Sequence, residues 1–119
     1  MSKVRENSEL TLRKQNDFNR VYRKGNSRGS KYVVVLYRNN GFDYTRTAFV
    51  SSKKVGNSVK RNHSRRLMRE SYRNISKFVK EGYDIVFVAR NTINDAAQQD
   101  VQRSMYGAMK ACELLNEKK

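Results

Sequence analysis

Six cations, Arg61, Arg65, Arg66, Arg69, Arg73 and Lys77, fall at spacings that share one side of a helix, with Asn62 among them. Five of the six are arginine. A guanidinium is planar, permanently charged and matches phosphate oxygens in a two-pronged contact, which a lysine point charge does less well. The chemistry this pattern offers is the grip of a polyanion, not the making or breaking of a bond. Leu67, Met68, Tyr72, Ile75, Phe78 and Val79 occupy the opposite sector, with Ser64 and Ser71 between them, so a sheet can bury that side. The competing reading is a solvated helix face held by ion pairs. Glu70 is the one acid within reach, at i+4 from Arg66 and i−3 from Arg73, and one carboxylate cannot offset six cations.

The charge is concentrated, not spread. The chain of 119 residues carries 26 Lys and Arg against 11 Asp and Glu, a net charge of +15, and residues 53–73 alone supply +7. A disordered basic tail does not fit, because this segment is internal and has apolar residues interleaved. The balance points to a phosphate-rich partner such as RNA. No apolar run approaches the ~18 residues of a membrane span, and MSKVRENSEL lacks the apolar stretch of a signal peptide. The expectation is one small, soluble, intracellular domain.

Side chains that could do chemistry of their own are scarce. His63 is the only histidine and sits inside the basic segment with no nearby carboxylate in sequence except Glu70, so it reads as a surface residue. Cys112 is the only cysteine and falls on an apolar helical stripe, so it reads as core. One Cys and one His leave no zinc set. No carboxylate pair has two-metal spacing, and no glycine-rich nucleotide loop is present. No catalytic or metal-ligating residue is assigned. Aromatics are more informative: Phe18 and Tyr22 lie at i, i+4, and Tyr32, Val34 and Leu36 share one face of an apolar strand, with Val33, Val35 and Tyr37 on the other. A helix carrying rings beside an open sheet face can stack unpaired bases; an ordinary core stripe is the alternative.

These residues need elements to hold them. Residues 1–12 are polar and aperiodic and read as a flexible N-terminal segment. Lys14–Lys24 reads as a helix stopped by Gly25, and Asn26–Ser30 as a loop with room for one short strand near Ser27–Ser30. Lys31–Arg38 reads as a strand, Asn39-Asn40-Gly41 as a turn, and Tyr44–Ser52 as the antiparallel return strand. After a turn pivoting at Gly56, Asn57 or Ser58 caps a long helix to about Lys80, ended by Gly82. Asp84–Ala89 reads as an interior strand. Thr92 and Asp95 have capping-box spacing before a last helix over about Asp95–Leu115, with Ala97, Val101, Met105, Ala108, Cys112 and Leu115 inward. The order α-β-β-(β)-α-β-α over residues 1–119 is a single-domain α+β two-layer sandwich.

The segment Ser52–Glu70, SKKVGNSVKRNHSRRLMRE, strongly resembles the signature of the bacterial ribonuclease P protein subunit. NDFNRVYRKG (Asn16–Gly25) looks like that family's first helix and DIVFVAR (Asp84–Arg90) like its last strand, so the resemblance runs from about Leu12 to Leu115. It implies a fold related to the second domain of ribosomal protein S five, with a left-handed β-α-β crossover. It implies a cytoplasmic ribonucleoprotein subunit that binds a catalytic RNA and the 5′ leader of precursor transfer RNA. In that picture Mg²⁺ held mainly by the RNA and substrate drives endonucleolytic removal of the leader, and no obligate protein partner is needed. Carried over residue by residue, RNA contact falls on Lys53, Lys54, Asn57, Arg61, Asn62, His63, Arg65, Arg66 and Arg69, next to Gly56, and Arg73 extends this face by helical spacing. His63 stands where the family has an arginine. The leader groove falls on Phe18, Tyr22, Val34 and Leu36, the last standing where similar proteins have an aromatic. Two other readings remain: a structural RNA-binding protein of ribosomal type, and a duplex-DNA reader. The second lacks a helix-turn-helix arrangement around the basic helix.

Overall fold

A computed structural model of the chain describes residues 10–116. Helix α1 spans Gln15–Lys24, followed by strands β1 (Asn26–Gly29), β2 (Val33–Asn39) and β3 (Arg46–Val50). Helix α2 spans Ser58–Ile75 and runs into a 3₁₀ turn at Ser76–Phe78. Strand β4 (Tyr83–Ala89), a 3₁₀ turn at Asn91–Asp95 and helix α3 (Gln98–Ala111) complete the order. The mixed sheet has the order β1-β2-β4-β3.

The expected β2–β3 hairpin does not form. β4 lies between the two strands, antiparallel to β2 and parallel to β3, with Val34 opposite Val88 and Val50 also opposite Val88. The reason is the run YDIVFVA. Ile85, Val86 and Phe87 are fully buried, so this strand needs cover on both faces and a partner at both edges, which only a central place supplies. The turn after β2 carries the chain past the start of β4 instead of folding it back. Asn40 Nδ2 donates to Asp84 Oδ1 (2.9 Å), the Asn40 amide donates to Gly82 O (2.8 Å), and Thr45 Oγ1 donates to Lys80 O (2.6 Å).

Helices α2 and α3 cover one face of the sheet. Val33, Val35, Ile85, Phe87 and Ala89 meet Met68, Ile75, Val101, Met105 and Met109 there. Burying a side chain the size of Phe87 contributes about 1.5–3 kcal/mol. Tyr32 packs against this cluster too, not on the Val34 side, because the strand begins only at Val33. Helix α1 covers part of the other face through Val21, against Ala48 and Val86. It comes so near β2 that a Cβ on Gly25 would lie 2.7 Å from Tyr37 O and 2.4 Å from Val21 O.

Other boundaries shift for identifiable reasons. Leu10–Leu12, expected to be loose, lie along β3: Leu12 is buried, its amide donates to Thr47 O (2.9 Å), and Thr47 N donates to Leu10 O (2.8 Å). The rest of the segment expected to be flexible, residues 1–9, lies outside the described residues. Helix α2 stops at Ile75, not Lys80, because Val79 is drawn into the core and bridges to Leu115. Helix α3 starts three residues late without the expected capping box. Thr92 Oγ1 donates to Lys31 O, Ala97 is exposed at the N-cap, and Met109 and Leu114 are buried beyond the expected stripe.

One ion pair ties α1 to the sheet. Arg46 Nε and Nη2 donate to Asp84 Oδ1 and Oδ2 at 2.8 and 2.7 Å, and Arg46 Nη1 reaches Asp17 of α1 at 3.3 Å. The side chains of Asp84 and Arg46 are 2% and 14% exposed. Removing one partner of a buried pair strands the other charge, at a cost of about 3–5 kcal/mol. Arg46→Met should lose stability on that scale in urea unfolding; a loss under about 1 kcal/mol, the worth of an exposed pair, would show that solvent already screens this contact.

Candidate nucleic-acid interface

The basic segment begins as a pinned loop. Val55 is buried, Asn94 Nδ2 donates to Val55 O (2.7 Å), and the amides of Val55 and Gly56 donate to Ser52 O and Lys53 O. This leaves the side chains of Lys53 and Lys54 in solvent. Asn57 then caps α2, its Oδ1 accepting from Lys60 N at 3.0 Å. No acid occupies the first turn of α2, so the partial positive charge of the helix start adds to that of the lysines.

Along α2 the sector rule holds. Ser64, Met68, Ser71 and Ile75 are buried, while Asn62, His63, Arg66, Arg69 and Arg73 are exposed. Glu70 forms no ion pair with Arg66 or Arg73 among the described residues. Arg61 and Arg65 are more involved locally. Arg61 Nη1 donates to Gly56 O (2.9 Å) and Nη2 to Ser58 Oγ (3.2 Å), locking the loop onto the helix, and Arg65 donates to Asn62 Oδ1. Arg69 sits over the Phe49 ring at 5.8 Å. Among the described residues Arg66 and Arg73 make no such contact, and with Arg69 they form a ridge at i, i+3, i+7.

On the other face of the sheet, the Phe18 and Tyr22 rings lie at 6.3 Å with planes 19° apart. Phe18 is half-buried and Tyr22 is 46% exposed. Partial burial raises the Tyr22 phenol above its ordinary 10, so the ring is neutral near pH 7. Register sorts the floor into two cross-sheet rows. Ser27, Leu36, Val86 and Ala48 form the row nearer α1, with Val86 and Ala48 buried. Gly29, Val34, Val88 and Val50 form the next row, which is only partly covered. Val50 and Val88 were missed by reading each strand alone; they join Val34 only once β4 is known to be central.

The two surfaces meet at the β3 edge. Phe18, Thr47, Phe49, Tyr72, Arg69 and Arg73 line one depression of about 630 Å³ beside this strand, with Leu10–Leu12, bonded along β3, as a further wall. Burial pushes the Tyr72 phenol up to about 12, so Tyr72 is neutral there as well. Val34 and Leu36 lie farther along the sheet and do not line it. The described residues hold no cluster of three potential metal ligands. Of the nearby carboxylates, Asp84 and Asp17 are engaged by Arg46, so no step is assigned to a metal held by this chain. No helix among the described residues is long and apolar enough to cross a membrane.

Comparison with known proteins agrees with this geometry. Residues 7–113 match the family model described as Ribonuclease P. A ribonuclease P protein component from Alkaliphilus oremlandii is 43% identical over 105 residues, 88% of this chain and 92% of that relative. One from Clostridioides difficile is 42% identical over 104 residues, 87% of this chain and 91% of its own length. The solved Staphylococcus aureus RNase P protein superposes with a TM-score of 0.81 at 31% identity, over 90% of this chain and 98% of that one. The Thermotoga maritima protein gives 0.77 at 30% identity, over 85% and 96%. The cationic α2 and the four-stranded sheet beneath it thus belong to a chain of the ribonuclease P protein family, a protein component of the transfer-RNA-processing ribonucleoprotein.

Proposed function

We propose that this chain works in the cytoplasm by gripping the catalytic RNA of ribonuclease P with its α2 surface and the 5′ leader of precursor transfer RNA with the α1 groove. The observation that carries the reading is the depression beside β3, where Arg69 and Arg73 share walls with Phe18. A strand of RNA lying there meets cations for its phosphates and an aromatic edge for its bases in one path. Lys53, Lys54, His63 and Arg66 are free to contact the ribozyme. Asn57 and Arg61 act through the shape of the loop that presents the lysines. Phe18 and Tyr22 supply stacking surface, and Val34, Val50 and Val88 supply an apolar floor. Leu36, in the row nearer α1, supports that floor.

In this reading the cut belongs to the RNA. Mg²⁺, held mainly by the RNA and substrate, would supply the metal-assisted hydrolysis. The chain offsets RNA–RNA repulsion and turns substrate docking into a two-point contact, with a gain from effective concentration. A structural RNA-binding role of ribosomal type accounts for the charge but leaves the half-open aromatic groove without an occupant.

Reconstitution with the catalytic RNA at low Mg²⁺ tests the assignment: the chain should raise cleavage of a leader-bearing precursor, and cleavage equal to that of the RNA alone rejects it. The groove is tested separately. Phe18→Ala/Tyr22→Ala should weaken binding of precursor but not of leaderless transfer RNA, and equal losses refute the leader contact. For the ridge, Arg66→Ala/Arg69→Ala/Arg73→Ala should flatten the slope of log K against log[salt] by about 2 to 3, from three lost phosphate contacts. An unchanged slope would place the RNA elsewhere.

A further inference from the structure

A second cationic site lies at the opposite edge of the sheet. The turn joining β1 to β2 faces one side of α3, and Arg28, Lys31, Tyr32, Arg103, Ser104 and Gly107 line a pocket of about 470 Å³ between them. Its walls are tied by contacts between distant parts of the chain. Ser104 Oγ donates to Ser30 Oγ (2.7 Å), Arg90 Nη1 donates to Ser30 O (2.9 Å), and Thr92 Oγ1 donates to Lys31 O. The walls are therefore set before any ligand arrives, which lowers the cost of binding.

Its charge is poorly compensated. Arg28, Lys31 and Arg103 are exposed, Arg90 stands beside them, and Asp100 is the one carboxylate of the lining, 3.9 Å from Arg103. Gly107 is the second observation. It occupies the interior of α3, where glycine is less stable than alanine. Packing does not demand it, since an added Cβ would meet nothing within 4 Å. Gly107 is among the residues that line the pocket. A glycine on the wall of a pre-formed cationic pocket leaves its backbone bare for a ligand to approach closely.

We propose that this pocket is a second phosphate-binding site that takes the backbone of RNA, with Arg28, Lys31 and Arg103 on a phosphodiester and the half-exposed Tyr32 ring beside the adjoining base or sugar. Its volume suits a nucleotide unit better than a bare oxyanion. Its residues are separate from those of α1 and α2, so it stands or falls apart from the leader groove.

Amide chemical shifts of the full chain, titrated with a short oligouridylate and separately with inorganic phosphate, test it. With the oligonucleotide, Ser30, Ser104 and Gly107 should shift and saturate. Arg28→Ala/Arg103→Ala should abolish those shifts, keep those of α2, and reduce the salt slope of RNA binding by about 1.4, from two lost contacts to a single strand. Gly107→Ala should raise the melting midpoint by about 2–5 °C yet weaken the response at Ser30 and Ser104, a pairing that misfolding cannot mimic. Absence of saturable shifts with the oligonucleotide overturns the site. Saturation by phosphate alone overturns the RNA assignment. A Gly107→Ala chain that binds RNA as before removes the argument for close approach. Because none of these readings involves cleavage, failure of the proposed ribozyme function leaves this test intact.

Discussion

Parallel pairing of β3 with β4 governs most of what this molecule presents to its surroundings. A parallel pair cannot be closed by a tight turn; it needs a crossover long enough to return the chain to the same end of the sheet. Here the crossover is the pinned loop with α2, and its apolar side must lie on the sheet because Phe87 and Ile85 need cover. Once Met68 and Ile75 face inward, helical geometry turns Arg66, Arg69 and Arg73 outward. The cationic ridge is thus a consequence of topology as much as of composition. The same arrangement sends both long helices to one face, so among the described residues the other is covered by the ten-residue α1 and Leu12 and stays partly open.

Magnitudes explain how α2 tolerates its own charge. Like charges at i, i+4 cost a few tenths of a kcal/mol per pair, so Arg61–Arg65, Arg65–Arg69 and Arg69–Arg73 together cost about 1 kcal/mol. Full burial of Met68 and Ile75 contributes about 1.5–3 kcal/mol each. Packing wins, and the helix holds with its repulsion unrelieved, because Glu70 pairs with neither neighbouring arginine. Phosphates that meet the ridge relieve that repulsion, so binding draws on a strain the sheet has already offset. Arg46 shows the contrary use of the same side chain: enclosed by Asp84 and Asp17, it holds α1 in place and is closed to RNA.

Local signals carried far. The sector of apolar residues from Ser64 to Ile75 and the Asn57 cap are consequences of spacing and side-chain type that a single segment contains, whereas the strand at Asn26–Gly29, in a stretch that reads mainly as a loop, owes its form to pairing with β2. Pairing is where segment-by-segment reading stopped. Asn39-Asn40-Gly41 has the composition of a hairpin turn, yet its asparagine bonds tie it to Gly82 and Asp84, some forty residues away, and carry the chain across to the far edge. With that partner hidden, Val50 and Val88 could not be placed beside Val34. The end of α2 failed for the same reason: Phe78 and Val79 continue the helical period, but Val79 is held by Leu115 from the other end of the chain. The Thr92–Asp95 spacing was overridden by a bond to Lys31 O, a partner no local rule supplies.

The two faces divide recognition by its physics. Guanidinium contacts with phosphate are indifferent to base sequence and weaken as salt rises. The stacking proposed for Phe18 and Tyr22 is also tolerant of sequence, but it requires bases that are not already paired. A partner satisfying both must offer a dense, folded phosphate surface on one side and an unpaired strand on the other, joined near the β3 edge where Arg73 and Phe18 share one depression. A regular duplex offers the first without the second, and a free strand the second without the first. A folded RNA carrying a single-stranded extension offers both, and that is the shape the proposed function requires of its partner.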